Sequence, residues 1–168
     1  MTLATHIVIA TAIAKPAIVA GAGPFAPFVI GVLSHYASDA IPHYDYPLLS
    51  AKQERAEKLV IELNPTKKNI TADLLKIALD IAIGGAAVLI VAKPALSLPI
   101  LLGYALAGLG AVLPDALQSV YWFWRKTPIK ELKIVHDCWH SKLRLKKDWL
   151  GLGSQTLIFL TALILLAH

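Results

Sequence analysis

Long apolar runs, interrupted by a few charged positions, organise this chain. A bilayer core about 30 Å thick needs roughly 20 apolar helical residues. Residues 17–34 carry no charge, residues 72–92 carry Asp73, Lys76 and Asp80, residues 98–124 carry only Asp115, and residues 150–167 carry none. A fifth run, Thr5 to Ala14, continues past Lys15 and Pro16 to Ala22. Proline removes a backbone donor, so this run reads as a kinked or tilted helix. Gly21-Ala22-Gly23-Pro24 predicts a tight turn. The expected spans are about 5–22, 24–41, 72–92, 98–124 and 149–167, with a re-entrant hairpin as the alternative for the first two. The fold expected is all-α: an integral membrane helical bundle of about five transmembrane helices plus a short interfacial helix, in one domain over residues 1–168. Met1 to His6 has no Lys or Arg, so a cleavable signal peptide is not expected.

Composition supports the membrane reading. Hydrophobic residues make up 57% of the 168 positions and charged residues only 16%, against about 25% charged in soluble domains. Disorder is excluded, and one cysteine rules out an internal disulfide. The net charge of +5 raises the question of nucleic acid, and the placement of the basic residues answers it. Fourteen of the 16 lie in or beside the two long connections, residues 42–71 and 125–148. With five spans, both connections and the N-terminus share a side, which the positive-inside rule makes cytoplasmic. Trp122, Trp124, Trp139 and Trp149 fall near the same face, as an interfacial belt does. The expected location is the inner membrane and the expected partners are membrane lipids, not nucleic acid. Residues 50–63 read as a short surface helix. Thr127-Pro128 reads as a helix start, with Pro at the first helical position. Ile129, Leu132, Ile134, Val135 and Trp139 then give an apolar side that suits the interface.

Ionisable residues inside spans are costly and are usually functional or paired. Here they are His6, His35, Asp39, Asp80 and Asp115. At about 1.5 Å per residue, Asp80 and Asp115 lie roughly 12 and 14 Å in from the cytoplasmic ends of their spans. His35 and Asp39 close a helix that should stop before Pro42, and His136 and His140 lie in the second connection. His35–Asp39 and His136–His140 are each four apart and share a helix face. Such pairs grip metal ions, and the mixture of imidazole and carboxylate suits zinc, manganese or iron better than calcium. His43 and Asp45 stand at the mouth, His43 as a possible additional ligand. Plainer readings exist for each. His6 could be interfacial, His35–Asp39 a hydrogen-bonded pair, and Asp80 a cap or partner of a neighbouring helix. Asp115, after Pro114, could be an N-cap, and His136 and His140 could be solvated. Cys138 and His168 are not expected to be ligands.

Thr5-His6, GVLSHYASDAIPHYD at 31–45, GAVLPDA at 110–116 and HDCWHS at 136–141 resemble the membrane-bound metal-dependent hydrolases of the YdjM type. More remotely, they resemble the zinc-dependent phospholipase C and P1 nuclease group. The resemblance implies a helical phosphoesterase and assigns His35, Asp39 and His43 to its His-x3-Asp-plus-His element. Asp115 matches its acid after Leu-Pro, and His136 and His140 its paired-His element. The order of the elements departs from that pattern, because the His-x3-Asp element comes before the others here.

The function expected is a metal-dependent hydrolase of a phospholipid or lipid-linked phosphate at the cytoplasmic leaflet. His6, His35, Asp39, Asp115, His136 and His140 would hold a divalent metal, zinc before manganese or iron. Asp80 and Asp45 are the candidate bases for the attacking water. The alternatives are a metal-ion or proton-coupled transporter, a haem protein and a non-catalytic scaffold.

Overall fold

The computed structural model of the protein describes residues 1–53, 61–63, 66–140 and 148–168. It is helical: α1 (Leu3–Val19), α2 (Phe25–Asp39), α3 (Lys67–Ala92), α4 (Leu98–Phe123), α5 (Ile129–Trp139) and α6 (Asp148–Ala167). The expected surface helix at 50–63 is corrected. Ala51–Gln53 (β1) pairs antiparallel with Ile61–Leu63 (β2), and residues 54–60 lie outside the described ones. Ile61, at the start of β2, is β-branched, which suits a strand.

Three helices are long and apolar enough to cross a membrane: Lys67–Ala92, Leu98–Tyr121 and Trp149–Ala167. The first two helices are shorter than the sequence pattern suggested. α1 has 17 residues and α2 has 15, about 25 and 22 Å at 1.5 Å per residue. Gly21 and Gly23 end α1 early, because both take positive φ in the turn. α3 starts five residues before its apolar run, where the Thr66 hydroxyl accepts from the Asn69 N–H.

α1 is the centre. It is apolar on all sides, as a buried helix is, and α2, α3, α4 and α6 all pack on it. Contacts set the helix directions. Gln155 of α6 meets Thr2, and Leu166 of α6 meets Lys15, so α1 and α6 run parallel. Asp80 and Gly84 of α3 lie beside the first turns of α1, also in parallel. Gly103 of α4 faces Ile18 and Gly108 faces Ile7, so α4 runs back. α2 and α4 cross at Gly31 and Gly110. A Cβ at Gly31 would strike the Ala107 carbonyl, and one at Gly110 would strike the Phe28 carbonyl. Small residues permit such an approach between apolar helices. The crossing matters because His35 lies one turn beyond Gly31, and Asp115 five residues beyond Gly110.

α4 continues through Pro114 without restarting, so Asp115 is not the N-cap of a new helix. α5 is amphipathic. It buries Ile129 and His136 while exposing Ile134, Val135 and Trp139.

Candidate metal centre

The site gathers on Asp39, the last residue of α2, whose carboxylate is 2% exposed. Its Oδ2 lies 3.2 Å from His35 Nε2, one turn earlier on α2, and 3.2 Å from His136 Nε2 on α5. Those two nitrogens are themselves 3.2 Å apart. Asp115 Oδ1, from α4, stands 3.5 Å from His136 Nε2 and 3.8 Å from His35 Nε2. His35, Asp39, Asp115 and His136 therefore offer four ligand atoms within 4.8 Å of one another.

The other oxygen of Asp39 faces a second group. Oδ1 lies 3.2 Å from His6 Nε2 on α1 and 3.6 Å from His43 Nε2 in the loop after α2. Asp39, His43 and His140 also offer ligand atoms within 4.8 Å of one another. Asp45 closes the mouth, with its carboxylate 3.0 Å from His43 Nε2 and 3.5 Å from His140 Nε2. Helix period explains the α2 set, because residues 35 and 39 share a face. α5 likewise sends His136 inward and brings His140 to its C-cap.

Hydrogen bonds fix how the imidazoles face. His35 Nδ1 donates to the Ala111 carbonyl at 2.7 Å, and His43 Nδ1 donates to the Ile41 carbonyl at 2.7 Å. His6 Nδ1 is 3.0 Å from the Ser38 hydroxyl. A neutral imidazole has one N–H, so spending it at Nδ1 leaves Nε2 as a bare acceptor. The Nε2 atoms of His35 and His43, whose Nδ1 partners are carbonyls, then point at a carboxylate, which is also an acceptor. His6 Nε2, Asp39 Oδ1 and His43 Nε2 are buried without a hydrogen-bond partner among the described residues. Leaving such groups unmatched costs about 1–3 kcal/mol each. His6 and His35 stack with centroids 4.1 Å apart, so charging both rings would bury two like charges face to face. A divalent cation between nitrogen and carboxylate satisfies every one of these atoms. An imidazole whose second nitrogen is tied to a carbonyl is the usual outer-sphere arrangement of a metal ligand.

Charge around the mouth differs by position. Burial pulls His136 down, but the hydrogen bonds of Asp115 and Asp39 outweigh it and hold the ring up at about 9. Burial pulls His140 down, against the raising effect of Asp39 and Asp45. Burial pushes Asp45 up, but His43 and the Met1 ammonium, which donates to it at 2.6 Å, hold it below the usual carboxylate range. Among the described residues, no Lys or Arg side chain forms an ion pair with Asp39, Asp45 or Asp115.

The structure thus brings together His6, His35, Asp39, His43, Asp45, Asp115, His136 and His140. It places Asp80 elsewhere. Asp80 accepts from the N–H of Leu3 at 2.6 Å and of Ala4 at 3.2 Å, so both oxygens cap the first turn of α1. Two other charges of α3 are also committed. Asp73 accepts from Leu49 N–H, Ser50 N–H and the Ser50 hydroxyl, and Lys76 donates to the Pro47 carbonyl. They tie the 42–50 loop to α3. Ser154 of α6 donates to the Pro42 carbonyl at 2.5 Å, and Gly151 leaves room for the His43 backbone. Sequence reasoning missed Ser38, Gln118 and the Ala111 carbonyl. Gln118 lies 2.8 Å from both ring nitrogens of His136. Ser38 had a signal, since it adjoins Asp39 and lies three residues after His35. The Ala111 carbonyl had none.

Compared with family models, curated proteins and solved structures, the chain matches none of them.

Proposed function

We propose that the protein is a membrane-embedded, metal-dependent hydrolase of a phosphoester, carried on a phospholipid or lipid-linked phosphate. The reading includes the likeness to YdjM-type hydrolases and five crossings of the inner membrane, with the N-terminus and both long connections cytoplasmic. The alternating helix directions around α1 support five crossings. Exposed Trp124, Trp139 and Trp149 at the site end support its placement at the headgroup level.

One observation carries the metal assignment. Two imidazoles, His35 and His43, spend their Nδ1 protons on carbonyl oxygens of the fold and aim bare Nε2 atoms at a carboxylate. Zinc suits this ligand set, with His35, Asp39, Asp115 and His136 at an inner position. Asp39, His43 and His140 form an outer one, with His6 beside the shared carboxylate. Two divalent ions would outweigh the three carboxylates and leave a centre that attracts a phosphate. Bound there, such ions supply Lewis-acid polarisation of a phosphoryl oxygen and a water of pKa about 7.

The chain's own residues do the rest. His6, His35, Asp39 and His43 are almost fully buried, so the reacting face is the side where Asp115, Asp45 and His140 remain 32–47% exposed. Asp45 is ionised at neutral pH and accepts a hydrogen bond from the attacking water, orienting it. Asp80 is left out of this role by its engagement with α1. A transport path would need polar groups continuing across the bundle. Residues 86–92 and 99–109 provide no acid, basic residue or histidine, only the buried phenol of Tyr104.

Metal analysis of detergent-purified protein tests the reading. The wild type should hold one to two zinc or manganese ions. Asp39→Ala should hold none while keeping its helical circular dichroism. A metal-free wild type that folds normally after zinc supplementation would end the proposal.

A further inference from the structure

The geometry points to Ser38 as a positioning residue of this centre: its hydroxyl fixes the tautomer of His6, so that Nε2 faces Asp39 as a lone pair. The inference rests on the metal reading above and deepens it. A serine hydroxyl has one proton and two lone pairs. Ser38 Oγ lies 2.9 Å from the His35 carbonyl, which can only accept, so the proton goes there. The same Oγ lies 3.0 Å from His6 Nδ1, which is the donor when the hydroxyl proton is spent on that carbonyl. A neutral ring has no second proton, and its Nε2 faces Asp39 Oδ1 at 3.2 Å without one.

This arrangement opposes what the pair would otherwise choose. An imidazole beside a carboxylate donates to it, in a charge-assisted bond of roughly twice the ordinary strength. His6 with its proton on Nε2 would make that bond to Asp39. It would consume the nitrogen lone pair and one carboxylate oxygen together, and both are needed for a cation. Ser38 removes that option by demanding the proton at Nδ1. The ring cannot turn to escape, because it is buried and stacked on His35 at an angle of 25°. Ser38 is itself 5% exposed, so water is a poor substitute for its hydroxyl. One side chain on α2 thus selects the ligand form of an imidazole on α1.

Long-range proton–nitrogen correlation spectra of the metal-free, full-length protein in micelles read the tautomer directly. In the wild type, His6 should carry its proton on Nδ1; in Ser38→Ala it should move to Nε2. Titration with zinc alone should then show affinity falling about 10–100-fold in Ser38→Ala, the range for outer-sphere partners. Ser38→Thr, which keeps the hydroxyl, should recover most of that loss, as a purely packing role would not allow. A wild-type His6 protonated at Nε2 overturns the proposal without any variant, which covers the case of an alanine variant that fails to fold. Unchanged zinc affinity in a folded Ser38→Ala also overturns it. A wild type that binds no zinc sinks the metal reading instead, and the tautomer still decides what Ser38 does.

Discussion

The inner and outer groups share one carboxylate but are built differently. The inner group draws His35, Asp39 and Asp115 from α2 and α4, two helices locked at a crossing where backbone nearly touches backbone. Only His136 comes from outside that pair. The outer group takes His43 from a loop and His140 from the end of α5. Its imidazoles depend on attachments made elsewhere: Asp73 and Lys76 holding the loop, Ser154 holding Pro42. Ligands on packed helices are preorganised, whereas ligands on loops need support. The inner position should therefore be the tight one, and the outer position the one that opens toward substrate.

The largest test strikes the crossing. Gly31→Val forces a branched side chain into the Ala107 backbone, which cannot yield as a flexible side chain would. Overpacking of this kind costs about 1–3 kcal/mol or more. The separation of α2 from α4 should also abolish inner-position binding, because His35 and Asp115 move apart. Gly153→Ala is the control, since a Cβ there meets nothing within 4 Å. Thermal unfolding and zinc stoichiometry measure both. Equal stability in the two variants would deny that the crossing assembles the site.

Titration separates the two positions with a smaller effect. His136 holds its proton up to about 9 in the metal-free protein. A metal must displace that proton, so binding at the inner position releases it and tightens as pH rises from 6.5 toward 9. The sign for stability is opposite. A raised pKa stabilises the metal-free fold fully below 6.5, and that contribution is lost as pH climbs through about 9. His140 is held low by burial, so the outer position should show little change over the same interval. Zinc titrations at half-unit steps should yield one pH-dependent affinity and one flat one. Two parallel curves would erase the distinction between the groups.

How far the sequence foretold this differs by residue type. Spacing of four residues foretold that His35 and Asp39 share a face, and the polar residues at one end of the apolar runs foretold that His6 and Asp115 meet there. Helix period and bilayer thickness are local rules, and they suffice there. The 50–63 segment was misread because its amphipathic charges suit a helix while the pairing partner of β1 is set by register. The lengths of α1 and α2 were overstated because hydropathy runs straight through a glycine turn. Tautomer control was invisible, since it depends on a backbone carbonyl of α4 and a serine whose partner is 32 residues away. Asp80 is the instructive case. A buried carboxylate in a span reads alike whether it serves a reaction or a helix end, and only its partners separate the two.

That ambiguity gives the smallest test. Asp80 accepts from two N–H groups at the start of α1 and places its charge against the positive end of that helix. Asp80→Asn keeps one acceptor oxygen and loses the charge. The expected cost is about 0.5–2 kcal/mol, as for loss of a helix cap, with zinc stoichiometry unchanged. His6 lies only two and three residues beyond the capped N–H groups, so fraying there should reach it. Any weakening of binding should be confined to the side of Asp39 that His6 faces, leaving the inner position intact. If Asp80→Asn instead keeps its full stability and loses hydrolysis of a lipid phosphate, the carboxylate belongs to the chemistry and Asp45 does not carry that role alone.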